Sequence, residues 1–376
     1  MAEATFGALI PAAGLSSRME GFKPLLKIGG QTLIQRVVDL FETAGVREVV
    51  VVAGHRGDEI IPVLEGTSCR AVINPDYRGE MLTSVQAGAR ELQGRCHAFF
   101  VLPMDIPLVR TMTILRLTER FVDRSALVCH PAGIEGRGHP PLIDSSLIEE
   151  LLAFTGTGGL KGFLQRYKAR SVEVPVADAW IRRDVDTDED LTALRRDFER
   201  YTIPAPEECG VILEHYLAVP EAVQDHSRAV AGVALRLAGA LNAAGEHLDL
   251  GLLNASALLH DILKGKKKHS ERGAAWLKEN GFPEVAAIVA EHTDILLKER
   301  NGVDEKALVY LADKILGGER VLTLAHRREA ALKKYGHEEA ARLAIEARFD
   351  AAAKIQSMVE KITGLSLDSI LKGNRS

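Results

Sequence analysis

Residues 6–26 read FGALIPAAGLSSRMEGFKPLL, and this stretch decides the fold of the first half of the chain. The apolar run Phe6–Ile10 predicts a short buried strand, and the small residues at 12–14 after it let backbone N–H groups approach a ligand closely. Further hydrogen-bond donors and positive charge come from Ser16, Arg18 and Lys23, which suit the oxygens of a nucleoside triphosphate. The segment contains neither a GxxxxGK motif nor a GxGxxG motif. On spacing alone, an ordinary surface loop with two cations explains it equally well.

Strand-like and helix-like stretches alternate through the rest of this half. The strands are predicted at Arg47–Ala53, Arg70–Ile73, Ala98–Leu102, Ala126–His130 and Val172–Pro175, and the helices at Thr32–Ala44, Met81–Leu92, Met112–Val122 and Ser146–Ala153. Such alternation is typical of an α/β domain with a mostly parallel sheet. In these sheets ligands bind at the carboxyl ends of the strands, so we expect the functional residues in the loops at those ends.

The character of the sequence changes near residue 200. Two prolines and a glycine in Tyr201–Gly210 are typical of a linker, and the residues beyond it read as consecutive helices without a convincing strand. We therefore expect an α/β domain over residues 1–200, a linker over 201–210 and an all-α domain over 211–376.

Composition limits the class of protein. The 376 residues are 46% hydrophobic and 26% charged, which is ordinary for a soluble protein and excludes a mainly disordered or low-complexity chain. The net charge of −5 gives no general case for nucleic acid or an anionic membrane as a partner. Four scattered cysteines without a CxxC pair fit a reducing compartment, and the first residues lack the pattern of a signal peptide. We expect a cytoplasmic protein with no nucleic-acid or membrane partner.

Carboxylates follow the predicted strands at two places. Asp105 comes just after an apolar strand, where a carboxylate is well placed for Mg²⁺. Asp184 and Asp186 alternate in an extended segment, so they point the same way and offer a second carboxylate for a metal ion. Helix capping explains such residues too: Asp105 alone fits a turn or a cap, and Thr187 or Asp188 fits the cap of the next helix.

Taken in order, these segments resemble the MobA/MocA-like nucleotidyltransferases over roughly residues 5–200. The matching stretches are Ala12–Leu33, Asn74–Gly88, Asp105–Val109, Gly138–Ile143 and Asp184–Leu191. The resemblance implies a Rossmann-like, GT-A-like α/β fold. It also implies Mg²⁺-dependent transfer of a nucleotidyl group from a nucleoside triphosphate to the phosphate of an acceptor, with release of pyrophosphate. Such a reaction depends on positioning and charge neutralisation and needs no protein nucleophile.

The same resemblance assigns the site residues. Arg18 and Lys23 are expected to neutralise the phosphates as catalytic groups, and Asp105 to hold Mg²⁺ with Asp186 as the second ligand. His139 is expected near the nucleotide and acceptor pockets, although a packed loop histidine explains it as well. The nucleotide is expected to contact the loop at Ala12, Ala13, Gly14, Ser16, Arg18 and Lys23 and the other family motifs at Asn74, Gly79 and Ser84.

The form of the loop favours one branch of the family. Ala12-Ala13-Gly14, rather than Ala-Gly-Gly, is similar to the cytidylyl branch, which implies CTP as the donor and molybdopterin as the acceptor. Glu20 is a departure, because the family usually has glycine there. A molybdoenzyme or its chaperone is the expected recipient of the product. An alternative keeps the fold and replaces the acceptor by a sugar phosphate or another small phosphorylated alcohol.

Histidines and aspartates in the helical half form a second pattern. His226, the adjacent pair His260-Asp261, and Asp313 resemble, in this order and in their local contexts, the metal ligands of the HD phosphohydrolase superfamily. Imidazole and carboxylate are ligands for transition metals and Mg²⁺. The histidines that two-metal members add are matched by His269 and His292. The resemblance implies one or two divalent ions (Mn, Fe, Mg or similar), although roles at the surface or beside the ligands also explain the last two histidines.

A lysine follows the His-Asp pair at the spacing HD-x-x-K. The resemblance predicts that Lys264 contacts a substrate phosphate as a catalytic group. The basic run 264–268 that begins with it fits a solvated loop equally well. With an activated water supplied by its metal site, this domain is expected to hydrolyse a phosphate ester. The alternative is a regulatory or binding module that hydrolyses nothing.

Overall fold

The computed structural model describes residues 4–14, 18–122, 126–296 and 302–372. The chain divides into two compact units, residues 1–201 and 202–376, and each unit has its own hydrophobic core. Within the stretch predicted as a linker, a helix begins at Pro206 and Cys209 is fully buried. The second half of that stretch is therefore folded as part of the second unit.

The first unit is built on a mostly parallel sheet. The strands of this unit are β1 (Phe6–Ala12), β2 (Lys27–Ile28), β3 (Gln31–Thr32), β4 (Glu48–Ala53), β5 (Arg70–Ile73), β6 (Ala98–Val101), β7 (Val128–Gly133), β8 (Gly136–Arg137), β9 (Leu142–Asp144) and β10 (Ser171–Pro175). Eight of them form one sheet with the order β10-β7-β9-β6-β1-β4-β5, in which β8 pairs with β7. The strand β9 is antiparallel to both its neighbours, whereas β1, β4, β5 and β6 are parallel to one another and β10 is parallel to β7. This sheet confirms the predicted Rossmann-like α/β domain.

Helices cover both faces of this sheet. Along β1, Ala8 and Ile10 are buried in one core and Leu9 in the other, because successive side chains of a strand point to opposite faces. A strand buried on both faces needs apolar residues at every position, which explains the continuous run VVVVA in β4. The helices are α1 (Leu33–Thr43), α2 (Gly57–Val63), α3 (Met81–Leu92), α4 (Thr111–Val122), α5 (Ile148–Leu152), α6 (Gly159–Gln165) and α7 (Asp188–Phe198), with 3₁₀ turns at Lys23–Leu25, Ser145–Leu147 and Lys168–Arg170.

The second unit is a bundle of helices. The helices are α8 (Pro206–Val211), α9 (Glu221–Ala243), α10 (Leu250–Leu259), α11 (His269–Glu279), α12 (Pro283–Val289), α13 (Glu305–Ile315), α14 (Leu324–Tyr335), α15 (Glu339–Thr363) and α16 (Leu367–Lys372), with a π-helical turn at Ile212–Tyr216. The long helix α9 packs against α10, α13 and α15, and Tyr310 of α13 is fully buried in this core. Across the described residues, none of the helices is both long enough and apolar enough to span a bilayer.

The structure corrects several details of the sequence prediction. The short strands β2, β3, β8 and β9 and the short helices α2 and α6 were not predicted, and the helix predicted at Ser146–Ala153 is a 3₁₀ turn followed by the short helix α5. The domain predicted as all-α also contains a hairpin of two-residue strands, β11 (Leu316–Gly317) and β12 (Arg320–Val321). Gly318 in its turn has a φ of 66°, a conformation that glycine adopts without strain.

Candidate active sites

The phosphate loop predicted after β1 borders a small pocket at the carboxyl end of the sheet. The pocket has a volume of about 180 Å³, and Ala12, Ala13, Gly14 and Lys23 form one side of it. Ala12 and Ala13 are buried, so the chain passes close to the pocket with no side chain beyond Cβ in the way. The position predicted for Ser16 lies outside the described residues.

Lys23 joins the two carboxylates that were predicted to hold a metal ion. Its Nζ lies 2.9 Å from Asp186 Oδ1 and 3.4 Å from Asp105 Oδ2, and the lysine is 9% exposed. The exposed guanidinium of Arg18 contacts the other oxygen of Asp186 at 3.3 Å. Because one ammonium reaches both carboxylates, Asp105 and Asp186 are close enough together to share a cation. The structure thus assembles residues that lie 163 positions apart in the chain.

Backbone contacts hold Asp186 in this position. The N–H of Val185 donates to the carbonyl oxygen of Asp105 at 2.9 Å, which fastens the two acidic segments side by side. Thr187 is the N-cap of α7 and forms a capping box with Asp190, whose carboxylate also accepts from the N–H of Asp186. Thr187 is therefore a helix cap, as the capping interpretation predicts, while Asp186 beside it remains available to the site.

Burial and charge act in opposite directions on Asp105. Its burial raises the pKa above the ordinary range, and the nearby ammonium of Lys23 opposes this rise. A cation at this position stabilises the ionised form of the carboxyl. Paired carboxylates beside a phosphate pocket are a donor set that Mg²⁺ accepts together with substrate phosphates, so Asp105 and Asp186 fit that ion.

Residues from the segment 77–84 also line the small pocket. Gly79 and Ser84 line it, as does Tyr77. Asn74, which was predicted to bind the nucleotide, is instead 3% exposed and is not among the residues that line this pocket. Its amide donates to Thr83 Oγ1 and Ser84 Oγ, and its Oδ1 accepts from the N–H of residue 76. Asn74 fixes the shape of the loop, because its polar atoms are used within the protein.

A second, larger pocket meets the first at Asp105. It has a volume of about 680 Å³ and shares Glu80, Met81, Pro103 and Asp105 with the small pocket. His139, predicted to lie near the nucleotide and acceptor, is part of its wall. The volume lies within the range of pockets that hold drug-sized molecules. Two adjoining pockets with two carboxylates and a lysine at their junction can bring two substrates together.

Two histidines of the larger pocket are held in the neutral form. Burial, together with the charge of Arg137, lowers the pKa of His130 to about 4. Burial also lowers the pKa of His139. Lys161 and Lys168 line the pocket as well. Sequence reasoning missed Arg137, Lys161 and Lys168, because single exposed cations carry no pattern of their own.

The second unit brings its predicted ligands together. His226 comes from α9, Asp313 from α13, and the pair His260-Asp261 directly follows α10. His226 Nε2 lies 3.1 Å from Asp313 Oδ1, and His260 Nε2 lies 3.3 Å from Asp261 Oδ2 and 3.8 Å from Asp313 Oδ1. All four groups are at most 18% exposed at the side chain. The ligand atoms of His226, His260 and Asp261 lie within 4.8 Å of one another.

A second cluster shares Asp261 with the first. His269 Nε2 and His292 Nε2 lie 3.4 Å and 3.5 Å from Asp261 Oδ1, while Oδ2 faces His260. The two imidazole nitrogens are 3.2 Å apart. Nitrogens that each lie about 2.1 Å from a shared metal ion are separated by about 3 Å, so this spacing fits two ligands of one ion. Asp261 therefore stands between two candidate metal positions.

Backbone carbonyls set the tautomers of three of these histidines. The Nδ1 atoms of His226, His260 and His292 lie 2.9, 2.8 and 2.7 Å from the carbonyl oxygens of Gly318, Ala257 and Val289. A carbonyl only accepts, so each Nδ1 carries the proton and each Nε2 presents a lone pair to the cluster. Gly318 is supplied by the turn of the β11–β12 hairpin. This arrangement of outer hydrogen bonds is typical of metal-ligating histidines.

Electrostatics in this cluster also favour a cation. Burial alone raises the pKa of Asp261, but its contacts with His260, His269 and His292 bring it far below the ordinary value. The buried Nε2 of His260 has no properly aligned hydrogen-bond partner among the described residues. Burial lowers the pKa of His260, yet the neighbouring carboxylates raise it overall. Either a proton or a metal ion can occupy the space between His260 and the carboxylates, and the donor set fits one or two divalent ions.

Two lysines balance the carboxylates of the cluster. Lys264 was predicted to contact a substrate phosphate, and the structure instead places its Nζ on Asp261 Oδ2, with about half of the side chain exposed. Lys314, which sequence reasoning missed, lies 2.8 Å from Asp313 Oδ2 and 3.3 Å from the carbonyl oxygen of His292. Its position directly after Asp313 in the sequence is the signal that could have identified it. In the structure, burial of the Asp313 carboxyl opposes ionisation, but the ammonium of Lys314 and the neighbouring histidines hold its pKa well below the usual range.

Comparison with known proteins finds the same two domains. Residues 8–172 match the MobA-like NTP transferase domain and residues 223–317 match the HD domain, which confirms both resemblances. The bifunctional IPC transferase and DIPP synthase of Rubrobacter xylanophilus is 40% identical over 95 residues. This match covers 24% of this chain and only 22% of that protein. Nicotine blue oxidoreductase of Paenarthrobacter nicotinovorans is 27% identical over 190 residues, which are 49% of this chain and 93% of that protein. A solved nucleotidyl transferase of Methanothermobacter thermautotroptrophicus is 24% identical with a TM-score of 0.46, and the match covers 52% of this chain and 98% of that chain.

Proposed function

We propose that this chain, which carries a MobA-like NTP transferase domain followed by an HD domain, is a bifunctional enzyme of phosphate chemistry. The first domain transfers a cytidylyl group from CTP to the phosphate of molybdopterin and releases pyrophosphate. The second domain hydrolyses a phosphate ester. The observation that carries the transferase proposal is the junction of two pockets at Asp105, where Lys23 and Asp186 also lie.

The residues at this junction have distinct tasks. The small-residue loop after β1 lets backbone N–H groups face the triphosphate, and Lys23 and Arg18 supply positive charge beside it. Asp105 and Asp186 are the carboxylates that would hold Mg²⁺, which when bound neutralises charge on the phosphates. The larger pocket orients the acceptor so that its phosphate oxygen faces the α-phosphorus. Positioning and charge neutralisation account for catalysis, and no protein nucleophile is required.

Two features support the choice of substrates. The loop reads Ala12-Ala13-Gly14, the form similar to the cytidylyl branch of the family. The volume of the larger pocket, about 680 Å³, admits an acceptor with a body larger than its phosphate. Glu20, the departure from the family pattern, has its N–H bonded to Asp188 Oδ2 at 3.2 Å, which places this residue beside the acidic segment.

The HD domain supports hydrolysis through its shared cluster. His226, His260, Asp261 and Asp313 would hold one divalent ion, and His269 and His292 would hold a second together with Asp261. Such a pair, when bound, supplies an activated water for attack on phosphorus. The chain's own contribution is to present neutral imidazole nitrogens from fixed directions, because backbone carbonyls hold three of the rings.

A screen for pyrophosphate release tests the transferase proposal. The full chain is mixed with Mg²⁺, with CTP, GTP, ATP or UTP, and with molybdopterin or a panel of sugar phosphates. We expect turnover with CTP and molybdopterin, a loss of at least about 100-fold for Asp105→Asn, and an unchanged rate for Asp58→Asn, an exposed carboxylate in α2. Absence of pyrophosphate release with every pair would overturn the proposal.

A second candidate acceptor is a sugar phosphate or another small phosphorylated alcohol. The likeness over 95 residues to a protein named as a bifunctional IPC transferase and DIPP synthase supports considering a different acceptor. The same screen separates the two. If only a sugar phosphate supports turnover, the molybdopterin proposal is wrong and the transferase proposal stands.

Metal content and a phosphatase screen test the second domain. We expect the full chain to bind divalent metal and to hydrolyse p-nitrophenyl phosphate or its diester, and Asp261→Ala to lose both properties because Asp261 belongs to both clusters. Asp225→Ala, at an exposed position beside the ligand His226, is the matched control. A chain that binds no metal and hydrolyses neither ester would instead favour a binding or regulatory module.

A further inference from the structure

Charge is distributed unequally along the larger pocket of the first unit. The carboxylates Asp105, Asp184 and Asp186 line one end, where Lys23 is also found. Two lysines, Lys161 of α6 and Lys168 in the turn before β10, line another part of the same pocket. The pocket therefore offers an acidic end, at which a cation is expected, and a separate basic region.

The two lysines of this basic region lack carboxylate partners. Among residues 4–14, 18–122, 126–296 and 302–372, neither Lys161 nor Lys168 forms an ion pair within 4.0 Å. Arg137 in the same pocket is different, since its Nε lies 2.6 Å from Glu173 Oε1. Two cations that line one pocket without internal partners attract an anion from outside the protein, and a shared concave surface strengthens that attraction.

The sheet topology sets a lower limit on the distance between the two regions. Asp105 follows the carboxyl end of β6 and Lys168 precedes the amino end of β10, and in the order β10-β7-β9-β6 these strands are three positions apart. At about 4.8 Å for each step between strands, three steps amount to about 14 Å across the sheet, and because β6 and β10 run in the same direction the two residues are also displaced along the strands. A single phosphate is much too small to contact both regions. A ligand that fills the pocket must therefore carry two separate anionic groups to use both.

Apart from Glu80 and Arg137, the rest of the pocket lining carries no formal charge. Leu82, Ile106 and Leu164 provide apolar surface there. His130 and His139 are neutral because burial lowers the pKa of each ring. The Nδ1 of His139 has no hydrogen-bond partner among the described residues, and it is buried rather than open to the pocket. The apolar side chains and neutral rings fit an uncharged body.

We infer that the larger pocket selects an acceptor with two anionic groups at opposite ends of an uncharged body. The phosphate that receives the nucleotidyl group lies at the Asp105 end, and a second anionic group binds to Lys161 and Lys168. This inference rests on the nucleotidyl transfer proposed above and adds the substrate class. Lys161 and Lys168 then determine which phosphorylated compounds the domain accepts.

Binding of matched probes to the full chain tests the inference. A non-hydrolysable α,β-methylene analogue of CTP with Mg²⁺ fills the nucleotide site, and calorimetry then compares alkylphosphonates with ω-phosphonoalkanoates of the same length over a series of chain lengths. We expect the second anion to tighten binding by about tenfold at one favoured length. Lys161→Gln and Lys168→Gln should each reduce this gain and leave the affinity for alkylphosphonates unchanged. Arg47→Gln, an exposed cation at the amino end of β4, is the control for loss of charge.

Each outcome has one meaning. Equal affinities of the two probe series at every length overturn the inference, as does a gain that survives in both lysine variants. If neither series binds while the nucleotide analogue does, the pocket is not a phosphate acceptor site, and the proposed transfer fails together with the inference. Pyrophosphate release that continues with an acceptor carrying one anionic group, with the same KM in both lysine variants, leaves the transferase in place and rejects the second anion.

Discussion

Asp178 is the residue whose replacement tests most directly how the first active site is held together. It is 2% exposed, and its carboxylate accepts from the N–H of Arg110 at 2.7 Å, from Thr113 Oγ1 at 2.7 Å and from the N–H of Trp180 at 2.9 Å. These bonds fasten the segment that leads to Asp186 onto the start of α4. Arg110 continues the attachment, because its Nη1 donates to the carbonyl oxygen of residue 201 at 2.6 Å.

The contacts of Asp178 set the size of the effect. A hydrogen bond to a charged group contributes about 1.5–3 kcal/mol, and a buried donor left without a partner costs about 1–3 kcal/mol. Asp178→Ala breaks three such bonds, and we expect the free energy of unfolding to fall by about 4 kcal/mol once entering water is allowed for. Asp178→Asn keeps one acceptor oxygen for two of the donors and should lose about 2 kcal/mol. Thr113→Val removes one bond and should lose about 1 kcal/mol.

Urea unfolding followed by tryptophan fluorescence measures these changes. The chain has two tryptophans, Trp180 beside Asp178 and Trp276 in α11, so a Trp276→Phe background leaves a reporter in the first unit alone. We expect the order Asp178→Ala, Asp178→Asn, Thr113→Val from the largest loss to the smallest. If Asp178→Ala were no more destabilising than Thr113→Val, the carboxylate would not be the anchor of this segment. In variants that remain folded, the KM for the nucleotide should rise, because Asp186 loses its support.

Three further outcomes follow from the two sites. Lys23→Gln should lower kcat for pyrophosphate release by about 100- to 1,000-fold at unchanged far-UV circular dichroism, and a variant with a normal rate would remove Lys23 from the charge-neutralising role. His269→Gln should reduce the metal content of the second unit by one ion, whereas Asp261→Asn should reduce it by both; equal losses in elemental analysis would contradict two positions that share one carboxylate. The third prediction concerns the stability of the folded chain at acidic pH. Because the pKa of His130 is about 4 in the folded chain and 6.5 in the unfolded chain, the unfolded state binds the extra proton between these values, and stability falls as the pH drops from 6.5 towards 4. The partly exposed ring limits this loss to about 1–2 kcal/mol, and His130→Phe should remove that part of the pH dependence in urea titrations at pH 7 and pH 4.5.

Features with a periodic pattern could be predicted from the sequence. The run at 49–53 is apolar at every position because both faces of β4 are buried, and the sequence carries this requirement locally. The strand β9 has only three residues and follows two prolines, so no alternation is long enough to indicate it. The hairpin at Leu316–Val321 was not predicted for the same reason: its strands have only two residues each. It nevertheless supplies the carbonyl of Gly318 that orients His226.

Some residues of the candidate sites could likewise be predicted from the sequence, and others could not. Motif order predicted which acidic residues and histidines lie together, since the carboxyl ends of parallel strands converge and the HD ligands recur in a fixed order. Motif order could not separate a residue that contacts ligand from one that shapes the loop. Asn74 belongs to the motif, but its amide donates hydrogen bonds to Thr83 and Ser84. Only the three-dimensional contacts reveal this. Lys161 and Lys168 acquire meaning only from the pocket that they share.

Lysine ammonium groups occupy equivalent positions in the two candidate metal sites. Lys23 lies on Asp105 and Asp186, and Lys264 lies on Asp261. Bare carboxylates in such partly buried clusters repel one another and lose hydration, so a cation is needed for the sites to form at all. A lysine on a flexible stem can supply that cation and later withdraw without any change in the backbone. Binding of a metal ion would then exchange one cation for another, and the displaced ammonium would remain beside the site.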